Sequence, residues 1–125
     1  MEGTLTVLVV DDNEKNAKLA CAVLTAAGMT AISAASGAEA LELAARRRFG
    51  LVLLDVRLPD IDGPEVLRRL RTDPATADLP VVALTSLGPD EAGALLELGF
   101  DGYLEKPIDV GTFPADVLAF GGLAP

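Results

Sequence analysis

Five times along the chain a short apolar run gives way to a stretch of helical period, and this alternation restricts the possible folds more than any other feature. Leu5 to Val10 reads as a first strand. A helix should follow from about Glu14 to Ala27, with Ala17, Ala20, Cys21 and Leu24 at helical spacing and Gly28 as its stop. Thr30 to Ala34 reads as a second strand. Ser36 then opens a second helix, Glu39 completes a capping box, and Ala40, Leu41, Ala44 and Ala45 form the predicted buried face. Leu51 to Leu54 is a third strand ending at Asp55, followed by a loop from Val56 to Gly63. Pro64 suits the first position of a third helix, which carries Val66, Leu67 and Leu70 and breaks at Asp73-Pro74. Val81 to Leu84 is a fourth strand, and Pro89 to Leu98 a fourth helix stopped by Gly99. Gly102 to Glu105 is a fifth strand, and a short last helix runs from about Thr112 to Phe120.

Five β/α units in sequence imply a parallel sheet with helices on both faces. The first, third and fourth strands are almost continuously apolar, as strands covered on both faces should be. The second and fifth mix in Thr, Ser, Tyr and Glu and read as edges. The doubly wound strand order 2-1-3-4-5 fits that distribution. A chain of 125 residues holds one domain of this kind, expected over residues 1–120, with 121–125 as a tail or linker stub. With 4 Phe, 1 Tyr and no Trp, the core must be aliphatic.

In open α/β sheets ligands bind outside the carboxyl ends of the strands. The first strand ends on Asp11 and Asp12, the third on Asp55, the fourth on Thr85 and Ser86, and the fifth on Lys106. Each has an ordinary explanation taken singly: an Asp can be a turn former or cap, Thr85 can cap a helix, and a Lys before Pro can be merely solvated. Jointly they place three acids, a hydroxyl pair and one ammonium in a single crevice. The acids repel one another unless a cation lies among them. Mg²⁺ favours few carboxylates together with phosphate oxygens. A carboxylate can act as a nucleophile toward phosphorus, and phosphoryl transfer needs positioning and positive charge on the non-bridging oxygens.

The remaining composition narrows the alternatives. A net charge of -9 argues against nucleic acid and against an anionic membrane surface. With no histidine, neither Ser-His-Asp or Cys-His catalysis nor a His-based zinc site is possible, and the chain cannot itself donate phosphohistidine. The single cysteine, Cys21, forms no internal disulfide and reads as a small core residue. The start, Met1-Glu2-Gly3, shows no basic and apolar leader, and no apolar run spans a bilayer, so the cytoplasm is the expected location.

Four segments, in order, resemble the receiver domain of bacterial response regulators: Val9-Val10-Asp11-Asp12-Asn13, Leu53-Leu54-Asp55-Val56-Arg57-Leu58-Pro59-Asp60-Ile61-Asp62-Gly63, Ala83-Leu84-Thr85-Ser86 and Tyr103-Leu104-Glu105-Lys106-Pro107. The resemblance covers essentially the whole chain and implies an α/β, flavodoxin-like (βα)5 fold. It implies that Asp55 is the phosphoacceptor and that Mg²⁺ is held by Asp11, Asp12, Asp55 and the backbone carbonyl of Arg57, with Asp12 direct and Asp11 acting partly through water. Lys106 would bind the phosphoryl group, and Lys106-Pro107 would be a cis peptide. Gly63 would permit the turn after the active-site loop. Thr85 and Tyr103 would form the switch, Tyr103 turning inward when Thr85 moves to the phosphoryl oxygen. The implied partners are a histidine kinase or histidine phosphotransfer protein and a downstream protein target.

Two departures bear on this. Arg57 stands where a small or uncharged polar residue is frequent, which suggests an altered rate of self-dephosphorylation. The last helix has Gly111 and Pro114 near its start and Gly121-Gly122 at its end, so its propensity is poor. Three rivals are weighed against the receiver reading. A Mg²⁺-dependent phosphohydrolase would want a second acid two residues after Asp55, where Arg57 stands. A flavin or nucleotide binder would want a Gly-rich first loop, where Asp11-Asp12-Asn13-Glu14 stands. A partner-binding pseudo-receiver that is not phosphorylated would not need the full set of motif residues.

Overall fold

The computed structural model describes residues 4–86 and 88–121. The elements alternate as β1 (Thr6–Val10), α1 (Glu14–Ala26), β2 (Thr30–Ala34), α2 (Gly37–Arg46), β3 (Leu51–Asp55), α3 (Gly63–Thr72), β4 (Val81–Thr85), α4 (Pro89–Glu97), β5 (Gly102–Glu105) and α5 (Phe113–Gly121). All strand pairings are parallel, and the sheet order is β2-β1-β3-β4-β5. The doubly wound arrangement expected from the alternation is therefore the one observed.

The period-2 geometry of the strands divides the core in two. Leu8, Val10, Val52, Leu54, Val81 and Ala83 face α2, α3 and α4, meeting Ala40, Ala44, Val66, Leu67, Leu70 and Leu95. Val7, Val9, Leu51, Leu53, Val82 and Leu84 face α1 and α5, meeting Ala20, Leu24, Phe113 and Val117. Residues of β1, β3 and β4 are covered on both faces, which is why these strands read as unbroken apolar runs. Each such Val or Leu contributes about 1.5–3 kcal/mol by leaving water. At the sheet edges Thr30, Ser33 and Glu105 are exposed.

Several local expectations shift. In α2 the inner line runs through Gly37, Ala40 and Ala44, while Leu41 is half-buried and Ala45 is exposed. The steps of three and four residues leave Ala45, about 100° further round, on the solvent side. The Ser36 hydroxyl accepts from the Glu39 N–H (3.1 Å), but the Glu39 carboxylate reaches past Ser36 to the N–H of Ala35 (2.8 Å). In α3, Gly63 takes the first position and Pro64 the second, because Asp62 is the cap and accepts from the Glu65 N–H (3.0 Å). The last helix begins at Phe113 and continues through Gly121. Gly121, expected within a tail over 121–125, instead closes this helix, and 122–125 lie outside the described residues. Gly28 and Gly99 carry positive φ (96° and 110°), the backbone reversal that ends α1 and α4. Among the described residues no helix is long and apolar enough to cross a membrane.

Candidate functional site

The parallel sheet brings the carboxyl ends of β1, β3, β4 and β5 to one edge. Asp11 follows the last residue of β1 and is only 3% exposed. Its N–H extends the pairing with β2 by donating to the Ala34 carbonyl (3.1 Å), and its Oδ1 accepts from the N–H of Asn13 (2.9 Å). Asp12 faces solvent. Asn13 caps α1 by accepting from the N–H of Asn16 (3.0 Å). The turn from β1 into α1 is thus closed by two short polar side chains, and it leaves two acids at the sheet edge.

Asp55 is the last residue of β3, with 6% exposure. Its Oδ1 accepts from the N–H of Arg57 (3.0 Å), a short-range turn that bends the chain sharply after the strand. Its Oδ2 accepts from Nζ of Lys106 (2.9 Å). The same Nζ lies 3.5 Å from Oδ2 of Asp11. Lys106 is held in place by its backbone N–H, which donates to the Thr85 carbonyl (2.9 Å) just past the β4–β5 pairing. Thr85 itself is 4% exposed. The Lys106–Pro107 bond is cis.

Asp11, Asp12 and Asp55 each offer a carboxylate oxygen, and these atoms all lie within 4.8 Å of one another. Lys106 pairs with two of these three acids, and the cluster carries an excess of negative charge. Burial, aided by the charge of Asp55, pushes the Asp11 carboxyl above its ordinary value against the pull of the Asn13 N–H and Lys106. Burial also pulls on the Lys106 ammonium, but its hydrogen bond and attraction to Asp55, with a lesser part from Asp11, hold it above its ordinary value. The donor set suits a hard divalent cation. It is all oxygen, the ligand type that hard divalent cations such as Mg²⁺ prefer. The adjoining crevice, about 470 Å³, is lined by Asp12, Asn13, Asn16, Asp55, Arg57, Thr85, Ser86 and Lys106, among others.

The residues expected at the strand ends therefore do converge. Arg57 is exposed and borders the crevice. Tyr103 does not line it; this half-buried residue of β5 packs toward the core side that holds α2, α3 and α4. Gly63 lies beneath the crevice, where its N–H donates to the Val56 carbonyl (2.9 Å). A Cβ there would fall 2.8 Å from Cα of Val56 and 3.0 Å from the Asp55 carbonyl oxygen. Close approach of backbone, rather than a left-handed turn, is what this position requires. Asn16 was not anticipated as a lining residue; its spacing of three from the capping Asn13 was the available signal.

Comparison with known proteins agrees with this geometry. The family model described as the response regulator receiver domain matches residues 7–117. The polar-differentiation response regulator DivK of Brucella ovis is 35% identical over 122 residues, covering 95% of this chain and 98% of that protein. Among solved structures, the chemotaxis response regulator CheY4 of Vibrio cholerae superposes with a TM-score of 0.88 at 28% identity, over 94% of this chain and 99% of that one. The receiver domain of the Francisella response regulator 1452 gives a TM-score of 0.87 at 27% identity, over 96% and 98%.

Proposed function

The chain belongs to the response regulator receiver domain family, a family of signalling domains of two-component systems, and on that premise we propose that it accepts a phosphoryl group on Asp55 in a Mg²⁺-dependent reaction. The observation that carries the proposal is the single ammonium of Lys106, 2.9 Å from Asp55 and 3.5 Å from Asp11, over an otherwise acidic cluster.

Asp55 supplies the nucleophile. One carboxylate oxygen forms a bond to phosphorus as the bond from phosphorus to the donor breaks, and the donor's leaving atom takes the electron pair. With a phosphohistidine donor the leaving group is imidazole. The N–H of Arg57 fixes the Asp55 carboxylate, which lowers the orientational cost of attack. Lys106 moves from its contact with Asp55 to the incoming phosphoryl oxygens, so that a positive charge already at the site meets the charge that develops there. The Thr85 hydroxyl donates to a phosphoryl oxygen. Asp11, Asp12, Asp55 and the carbonyl of Arg57 would hold Mg²⁺, which when bound neutralises the carboxylates and the phosphoryl oxygens.

Phosphorylation then biases a conformation available to the free protein. Thr85 and Tyr103 are the switch pair in this reading, Thr85 buried at the end of β4 and Tyr103 half-buried on β5. The donor is a histidine kinase or a histidine phosphotransfer protein, and the output is contact with a downstream protein in the cytoplasm.

Intact mass after incubation with acetyl phosphate tests the reading. One phosphoryl group should be gained with Mg²⁺, and none without Mg²⁺ or in Asp55→Asn. No gain under any condition would overturn it.

A further inference from the structure

The loop from Val56 to Asp62, which carries Arg57, is fastened to a distant element. Oδ1 of Asp60 accepts from the N–H of Gly37 (3.0 Å), and Oδ2 accepts from the N–H of Ala38 (2.9 Å). These are the first two amides of α2, 23 and 22 residues away in sequence. An α-helix leaves its first amides without internal partners. Here Asp60 takes two of them, and the hydroxyl of Ser36 takes that of Glu39. The two amides hold the Asp60 carboxyl below its ordinary range.

Packing reinforces the tie. A Cβ on Gly37 would lie 2.9 Å from Cγ2 of Val66, 3.0 Å from Cβ of Ile61 and 3.2 Å from the Ile61 carbonyl oxygen. The first turn of α2 is pressed against the loop and the start of α3 with no space for a side chain. Ile61, next to Asp60, packs against the α2–α4 side of the core. At the other end the loop is pinned by the N–H of Arg57 on Asp55 and by the N–H of Gly63 on the Val56 carbonyl. Between those pins, Leu58 and Ile61 rest on the core and Asp62 caps α3, while Asp60 supplies the side-chain hydrogen bonds that reach α2.

We propose that Asp60 is a positioning residue of the metal site: by clasping the start of α2 it fixes the loop whose Arg57 carbonyl would be a Mg²⁺ ligand. The inference rests on the receiver reading of that site. It makes α2 a second support of the acidic crevice, reached through the loop rather than through the sheet. Asp60 touches neither the metal nor the phosphoryl group in this account.

The test uses the full, unphosphorylated chain and Mg²⁺ alone, with affinity read from amide chemical shifts during titration. Asp60→Ala should weaken Mg²⁺ binding about tenfold, as loss of a residue that orients a ligand typically does. Its loop amides, Arg57 to Ile61, should exchange hydrogen faster. Asp60→Asn keeps one of the two acceptor oxygens and should fall between. Ser36→Ala removes a cap from the same helix without touching the loop, so it should lower stability yet leave Mg²⁺ affinity and loop exchange unchanged. Equal Mg²⁺ affinity in wild type and Asp60→Ala would overturn the proposal, as would an equal loss in Ser36→Ala. Absence of Mg²⁺ binding in wild type would instead sink the receiver reading of the site, and this inference with it.

Discussion

Replacing Gly63 by alanine should destabilise this protein, while the same replacement at Gly93 should stabilise it. At Gly63 the new methyl would sit 2.8 Å from Cα of Val56, 3.0 Å from the Asp55 carbonyl oxygen and 3.2 Å from the Val56 carbonyl oxygen. All three neighbours are backbone, so relief requires the end of β3 or the start of α3 to move. Overpacking of this kind costs about 1–3 kcal/mol. The better helix propensity of alanine offsets at most ~1 kcal/mol of that, since Gly63 is at the helix start. The net loss is about 1–2 kcal/mol. Gly93 lies inside α4, and a Cβ there meets nothing within 4 Å. Only the propensity gain remains, about 0.5–1 kcal/mol. Urea unfolding followed by circular dichroism separates the two. With a slope of ~2 kcal/mol per molar, the midpoint should fall by roughly 0.5–1 M in Gly63→Ala and rise by roughly 0.3–0.5 M in Gly93→Ala. Because the clash at Gly63 bears on the backbone of Asp55, phosphorylation by acetyl phosphate should also slow in that variant and not in the other. A Gly63→Ala protein as stable as wild type, or midpoints moving in the same direction, would refute the close-approach argument.

Further outcomes follow from the charges at the crevice. Asp11 holds its proton more tightly in the folded than in the unfolded chain, so ionising it costs stability as pH rises above the ordinary value of 3.8. Asp11→Asn should therefore be more stable than wild type at neutral pH without metal, by a margin that shrinks as pH falls, as thermal unfolding across pH can show. Mg²⁺ at about tenfold its dissociation constant should raise the wild-type melting temperature by about 5 °C and leave Asp11→Asn nearly unmoved. Lys106 is raised in the folded chain, so its contribution is complete below its ordinary 10.5 and fades only as pH climbs through the higher folded value. The stability difference between wild type and Lys106→Met should accordingly stay flat from pH 6 to 9, and the variant should lose most of its phosphorylation rate. Arg57→Ala should change the phosphoryl lifetime at least about twofold, since a long cation bordering the crevice can reach the phosphoryl oxygens or hinder water; equal lifetimes would remove that idea.

The alternation of apolar runs and helical stretches determined the element order, the parallel sheet and the strand order, because period and edge composition are local properties of the chain. The residues at the strand ends followed from the same reading: once the strands were placed, Asp11, Asp12, Asp55, Thr85 and Lys106 had to meet at one edge. What needed the tertiary structure were relations set by distance in space. The 2.9 Å bond from Lys106 to Asp55 spans 51 residues of sequence. The burial that raises Asp11 depends on the elements packed around it. Ala45 turned outward because the line of closest approach of α2 passes through Gly37, where the loop leaves no room for a side chain. Asp60 looked like one more acidic loop residue, and only the folded chain shows that its two oxygens close the first turn of a helix more than 20 residues upstream. A sequence carries the period of each element directly, whereas hydrogen bonds between loops and helix ends depend on how those elements dock, which no local pattern encodes.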